Sequence, residues 1–217
     1  MAKVNQGIRD GFMGKLGTVV GFFIHGVPLM RGYVRHSKKS PSESQQVVRM
    51  KFKKLCEVSH YFEAAYHVGL EYRAKGDNYS KYANFIELNM PAMGMSEGRV
   101  VTVDYSKVVL SRGYLPQVLF RRPDLTTPQE VSADFAGNLE LDRTCADDQV
   151  YLFVHCPALN ASVLSEPVKR NIGSVTASVP ANWNGLEVHV WGFTIGGGAD
   201  TMGLPSDSAY LGSGELG

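Results

Sequence analysis

From Arg99 to its last residue the chain is cut into short runs rich in β-branched and aromatic residues, each closed within a few positions by a turn residue. The runs span 99–104, 107–110, 118–120, 130–135, 139–142, 150–156, 175–179, 186–195 and 209–211, and Gly113, Pro123, Gly137, Pro157, Pro180 and Gly185 punctuate them. An isolated helix shorter than about 12 residues is marginal, whereas a strand of about five suits this spacing. The texture predicts an antiparallel β-sandwich of the immunoglobulin or fibronectin kind. Val150-Tyr151-Leu152-Phe153-Val154-His155-Cys156 is apolar at both parities, as a central strand covered on two faces would be. Trp183, inside Pro180-Ala181-Asn182-Trp183-Asn184-Gly185, is expected to cover the core.

The first sixty residues have another grammar. Residues 18–24 are β-rich, His25-Gly26 supplies a two-residue turn, and residues 27–33 return, which predicts a hairpin. Pro28 lacks an N–H for a ladder, so its strand belongs at an edge. Gly7, Gly11, Gly14 and Gly17 precede the hairpin and predict an arm ordered only against a partner or the rest of the fold. Ser42 and Gln45 then form a capping box, with Glu43 at the positive helix end. Val48, Phe52, Leu55, Phe62 and Ala65 mark an apolar stripe at helical spacing towards Gly69, and a second helix is expected from Tyr79 to Leu88, closed before Pro91. The fold class expected is therefore α+β, with a basic arm, hairpin and helices over 1–97 and a sandwich over 98–217.

Several phrases carry a resemblance. Gly14-Lys15-x-Gly17-Thr18-Val19-Val20-Gly21, Gly26-x-Pro28-x-x-Arg31, Pro41-x-x-x-Gln45-x-x-x-Arg49-x-Lys51-Phe52, Asp104-Tyr105-Ser106-Lys107-Val108-x-Leu110-Ser111-x-Gly113 and Ser206-Asp207-Ser208-x-Tyr210-Leu211-Gly212 run through nearly the whole chain. Together they resemble a family of uncharacterised bacterial proteins, a domain of unknown function. The resemblance implies an N-terminal hairpin and helix followed by a β domain, and supplies neither a reaction nor a ligand. An aromatic-then-basic pair before the hairpin glycine is replaced here by Ile24-His25, which weakens any role for a basic hairpin tip.

Catalytic patterns are hard to assemble. Gly14-Lys15 is followed by Leu16, so the magnesium-binding hydroxyl of a P-loop is missing. Gly14-Lys15-Leu16-Gly17 resembles the loop of KH-type RNA modules, but it leads into strands where those modules have helices. No serine sits in a Gly-x-Ser-x-Gly phrase. Cys56, Cys145 and Cys156 are an odd number without zinc spacing, and Cys56 and Cys156 read as small core residues. His60 and His67 share a helix face without a third ligand, and His155 and His189 lie in the two best strands. Asp147-Asp148 has the look of a turn. No enzyme, metal or cofactor is expected.

Charge completes the reading. Residues 1–60 hold eleven Lys and Arg against three acids, whereas residues 98–217 hold eight against thirteen. Such asymmetry suits either head-to-tail association or a polyanion-binding end. The leading expectation is a non-enzymatic structural or interaction protein that self-assembles or docks on a protein partner through its arm, with Gly14, Gly17, Val19, Phe22, Phe23 and Ile24 as contact residues. A phage-like or surface-layer-like component fits that description by architecture. The alternative is a nucleic-acid-associated protein using Arg31, Arg35, Lys38, Lys39, Arg49, Lys53 and Lys54. A third reading is a ligand-binding β domain with Trp183, Trp191 and Tyr210 as stacking candidates. No apolar run reaches the about 20 residues of a membrane span, and the N-terminus lacks a secretory apolar core, so a cytoplasmic or particle-assembled protein is expected.

Overall fold

A computed structural model of the chain describes residues 3–4, 12–24, 26–35, 40–77, 80–96 and 99–217. It is an α+β structure that divides into two compact units, Met1–Ser42 and Glu43–Gly217.

The first unit is an antiparallel meander of β1 (Lys3–Val4), β2 (Phe12–Leu16), β3 (Val19–Ile24) and β4 (Val27–Gly32), hydrogen-bonded in that order. The hairpin expected from the sequence is the β3–β4 pair, in the register Ile24↔Val27 to Val19↔Gly32. His25, in its turn, lies outside the described residues. Of the glycines before it, Gly7 and Gly11 lie outside the described residues, and the other two are built into the sheet. Gly14 is inside β2, opposite Gly21, and Gly17 turns the chain into β3 with φ of 60°, where a side chain would be strained. A second tight hairpin therefore precedes the expected one. At Gly21 a Cβ would come within 2.1 Å of the Phe12 carbonyl oxygen, so only glycine lets β2 and β3 approach this closely. The Tyr33 N–H donates to the Thr18 carbonyl, and counting back along the ladder turns the Pro28 nitrogen away from β3. The missing N–H thus faces the free side of β4, where it costs no ladder bond and blunts the edge.

The second unit opens with α1 (Glu43–Ser59), a 3-10 turn at His60–Phe62, α2 (Glu63–Gly69), α3 (Glu71–Asp77) and α4 (Lys81–Asn89). α1 begins directly after Ser42, and α4 is capped by Ser80, whose hydroxyl accepts the Ala83 N–H at 3.1 Å. Tyr79, expected inside this helix, lies outside the described residues. The apolar stripe starts later than its spacing suggests. Leu55, Phe62 and Ala65 are buried, but Val48 and Phe52 are half exposed, because the first three turns of α1 bury no residue fully.

Strands follow: β5 (Met93–Met95), β6 (Val101–Val103), β7 (Leu119–Phe120), β8 (Glu130–Ala136), β9 (Gln149–Cys156), β10 (Ala161–Leu164), β11 (Val168–Lys169), β12 (Ser174–Ser178), β13 (Glu187–Ile195) and β14 (Ala209–Glu215). One sheet has the order β10-β9-β13-β14, with β11 also on β9; a second has the order β12-β8-β7, and β5 pairs with β6. Alternation along β9 and β13 sends side chains to two cores. Val150, Leu152, Val154, Val188 and Val190 meet Val131, Ala133, Val175 and Ala177 of the smaller sheet, with Trp183 sealing that side. Phe153, Trp191 and Phe193 point the other way, into Leu55, Phe62, Tyr66 and Phe85 of the helices. The change of texture near residue 98 is therefore a change from helix to strand inside the second unit, because helices and strands share a core across it.

Two expected strands are absent, each for a visible reason. Over 107–110 the backbone groups are taken by side chains: the Asn89 amide donates to the Val109 carbonyl at 2.8 Å and accepts its N–H at 2.7 Å, and Ser208 Oγ accepts the Leu110 N–H at 3.0 Å. Over 139–142 the chain turns, with Asn138 at φ 48° and Arg143 at φ 64°.

The loops at one end of the sheets are tied by a fully buried ion pair. Arg170 donates to Asp148 Oδ2 at 3.0 Å, to the Pro116 carbonyl at 2.8 Å and to the Gly137 carbonyl. Asp148 also accepts the Cys145 and Gly197 N–H groups, each at 3.0 Å. Removing one partner strands a charge without water, so Arg170→Ala or Asp148→Ala should each cost about 3–5 kcal/mol in urea denaturation. The double variant Asp148→Leu/Arg170→Met should lose less than either single change.

Candidate functional site

The contact residues expected of the N-terminal segment fall on the two faces of the four-stranded sheet. Phe12, Gly14, Leu16, Val19, Gly21, Phe23, Pro28, Met30 and Gly32 share one face by alternation and register, and none carries a charge. Lys15, Val20, Phe22, Ile24, Leu29 and Arg31 share the other. Lys15 Nζ sits 3.5 Å from the Tyr33 ring centroid and the Arg31 guanidinium 5.7 Å from that of Phe22, so the cations of this face lie on aromatic rings. Leu16, Phe23, Ile24, Val27, Leu29 and Met30 are exposed, and among the described residues neither hydrophobic core includes a residue of this unit. Of the six expected contact residues Gly14, Val19 and Phe22 are half buried, and Gly17, Phe23 and Ile24 are exposed.

The expected polyanion residues are divided. Arg31 and Arg35 are exposed in the first unit, and Arg49 and Lys53 are exposed on α1 of the second, where Lys54 pairs with Glu57 at 3.9 Å. Lys38 and Lys39 lie outside the described residues.

The second unit brings His155 and His189 directly opposite one another on β9 and β13, on the face towards the helices. Tyr105 covers both, its ring centroid 4.3 Å from His189 and 5.5 Å from His155, while Phe62 packs 4.9 Å from His155. His155 Nδ1 lies 3.1 Å from the Ala161 carbonyl oxygen, which requires that nitrogen to carry the proton, and His189 Nδ1 lies 2.8 Å from the Tyr210 hydroxyl. Burial lowers the pKa of both imidazoles, that of His155 to about 4, and raises that of the Tyr105 hydroxyl. This is a neutral aromatic cluster that glues helices to sheet. Trp183 and Trp191 are buried as well, so neither offers a stacking platform, and Tyr210 packs on Trp191 at 5.4 Å.

Two of the phrases that carry the family resemblance, 104–113 and 206–212, meet in space. Ser111 Oγ donates to the Ser206 carbonyl at 2.6 Å, the Ser208 N–H donates to the Ser111 carbonyl at 3.0 Å, and Asp207 accepts the Gly113 N–H at 3.1 Å. Ser206 Oγ accepts the Thr194 N–H of β13 at 2.9 Å. Their hydroxyls and carboxylate are spent on backbone groups, so they latch the segment 104–113 to the entry of β14. Local spacing gave no sign of this long-range pairing.

Among the described residues no three His, Cys, Asp or Glu side chains converge as a metal site would require, and Cys56, Cys145 and Cys156 are unbridged. No described helix is long and apolar enough to cross a membrane. Fold and surface together define an α+β protein in two compact units, the first of which bears an exposed apolar sheet. The model of a family of unknown function, DUF6266, matches residues 11–212, and the chain belongs to that family. No curated protein and no solved structure matches it.

The histidine cluster generates a pH dependence. His155 titrates near 4 when folded and near 6.5 when unfolded, so its contribution is complete above about pH 6.5 and is lost as pH falls towards 4. The loss should reach about 3 kcal/mol. His189 adds to it in the same direction. In thermal melts between pH 8 and pH 4.5, His155→Leu should flatten the fall in Tm seen in the native chain, whatever its stability at pH 8.

Proposed function

We propose that this chain is a non-enzymatic structural or interaction protein that assembles through its N-terminal sheet, laid against the body of a second copy. The observation that carries the reading is the uncharged apolar face of β2, β3 and β4. A lone sheet needs a covering layer to be stable in water, and an exposed face of this composition invites a partner. Charge favours a second copy as that partner. Residues 1–42 hold seven Lys and Arg against Asp10 alone, a balance of +6, whereas residues 43–217 hold fifteen against twenty acids, a balance of −5. Contacts between unlike surfaces are head-to-tail and build rings or filaments, which agrees with a component of a larger particle.

For the body, the proposal keeps a sandwich related to the immunoglobulin and fibronectin folds. Its support is the strand order, β7, β8 and β12 on one sheet and β9, β10, β13 and β14 on the other, around one shared core. The fourth strand lies beside the third, where the immunoglobulin constant type places it on the opposite sheet. The helical layer over the larger sheet is an addition to that plan.

Light scattering after size-exclusion chromatography tests the assembly reading on the full chain. The native protein should elute as a nuclease-resistant particle at low and high salt. Phe23→Asp/Met30→Asp should reduce it to the mass of one chain without changing the melting of the second unit. A native monomer, or a particle untouched by the double variant, would sink the proposal. A species that collapses only on nuclease treatment would transfer the role to Arg31, Arg35, Arg49 and Lys53 as phosphate contacts.

A further inference from the structure

A groove of about 300 Å³ lies between β7 and β14, lined by residues 117–122 and 209–211. β7 and β14 are the end strands of their sheets, so two open edges border it. The ends of β14 are pinned on its outer side: the Ser208 N–H reaches the Ser111 carbonyl, and the Gly217 N–H reaches the Leu125 carbonyl at 2.8 Å. Between them, over residues 210–213, the described residues offer the outer backbone no partner. Leu119 stands 63% exposed beside it. The exposed guanidinium groups of Arg121 and Arg122 line the groove, with no hydrogen bond or ion pair to another described residue.

These two arginines set the sign of a ligand in the groove. An open strand edge sets its shape, because main-chain groups there recognise an extended chain and neighbouring side chains select what it carries.

We propose that this groove binds an extended acidic peptide segment, which adds to β14 as a further strand. Its carboxylates pair with Arg121 and Arg122, and an apolar side chain rests on Leu119. The site is separate from the N-terminal sheet: it recruits an acidic partner, whereas the sheet carries a positive balance and is proposed to bind a second copy.

The probe is a fluorescein-labelled peptide of alternating valine and glutamate, titrated with the full-length chain and read by anisotropy. Binding should be saturable, and R121E/R122E should weaken it by about tenfold or more, since like charges then face the ligand. Both arginines are exposed, so this variant keeps its fold. Leu119→Asp should weaken binding without lowering Tm, because it sets a like charge against the ligand at a position already exposed to water. A peptide of the same charge with alternate residues replaced by proline cannot extend a sheet and should not bind. Absence of saturable binding overturns the proposal, as does unchanged affinity in either variant. Equal binding of the proline-substituted peptide overturns strand addition, since charge alone would then explain the affinity.

Discussion

The ladder between β9 and β13 is the constraint on which the second unit depends. Seven residue pairs, from His189↔His155 to Ile195↔Gln149, fix its register. Both strands are covered on both faces, so each alternate side chain is committed to a different core. A slip by one residue would move Phe153 and Trp191 into the space of the smaller sheet and bring valines under the helices. Neither core has room for that exchange, because protein interiors are packed as densely as organic crystals. The register therefore specifies where the helices dock as firmly as it specifies the sheet.

Buried polar groups then hold the irregular segments. Asp148 and Arg170 tie loops from five places in the sequence, and every one of their contacts is a charge pair or a backbone group. Asn89 and the serines at 111, 206 and 208 do the same without charge. Each satisfies backbone that no strand pairs, which is the condition for running a loop through a protein interior. That division of labour explains why the motif residues, which look chemically versatile in sequence, face backbone amides and carbonyls.

The N-terminal sheet stands in contrast. Its two hairpins are specified locally by Gly17 and Gly26 in the turns, and by Gly21 where β2 and β3 approach. Its side chains have no core of their own among the described residues. Local geometry and hydrophobic burial, which agree everywhere in the second unit, are here separated: the backbone is made and its apolar surface remains available. This separation is the physical basis for reading the sheet as an association element.

Much of the fold is legible in the sequence, and the rest fails for nameable reasons. The turn at Gly26, the start of α1 after Ser42, and the double-sided apolar run at 150–156 depend on nearest neighbours and the period of a helix or strand, so they can be read directly. The strand expected at 107–110 could not be rejected that way, because its hydrogen bonds go to Asn89 and Ser208, remote in sequence. The stripe of α1 misled for a similar reason: helical spacing places Val48 and Phe52 on one face, but only packing decides which turns are covered. Likewise charge asymmetry and an apolar hairpin are visible in the composition, while the groove beside Arg121 and Arg122 is formed by two strand edges about 90 residues apart. Sequence alone determined the hairpin turn at Gly26, the start of the first helix, the doubly covered strand and the sign of each region's charge, since these are local or additive properties. Tertiary structure decided which faces are buried and which polar groups are left without partners, because both depend on what distant segments bring into contact.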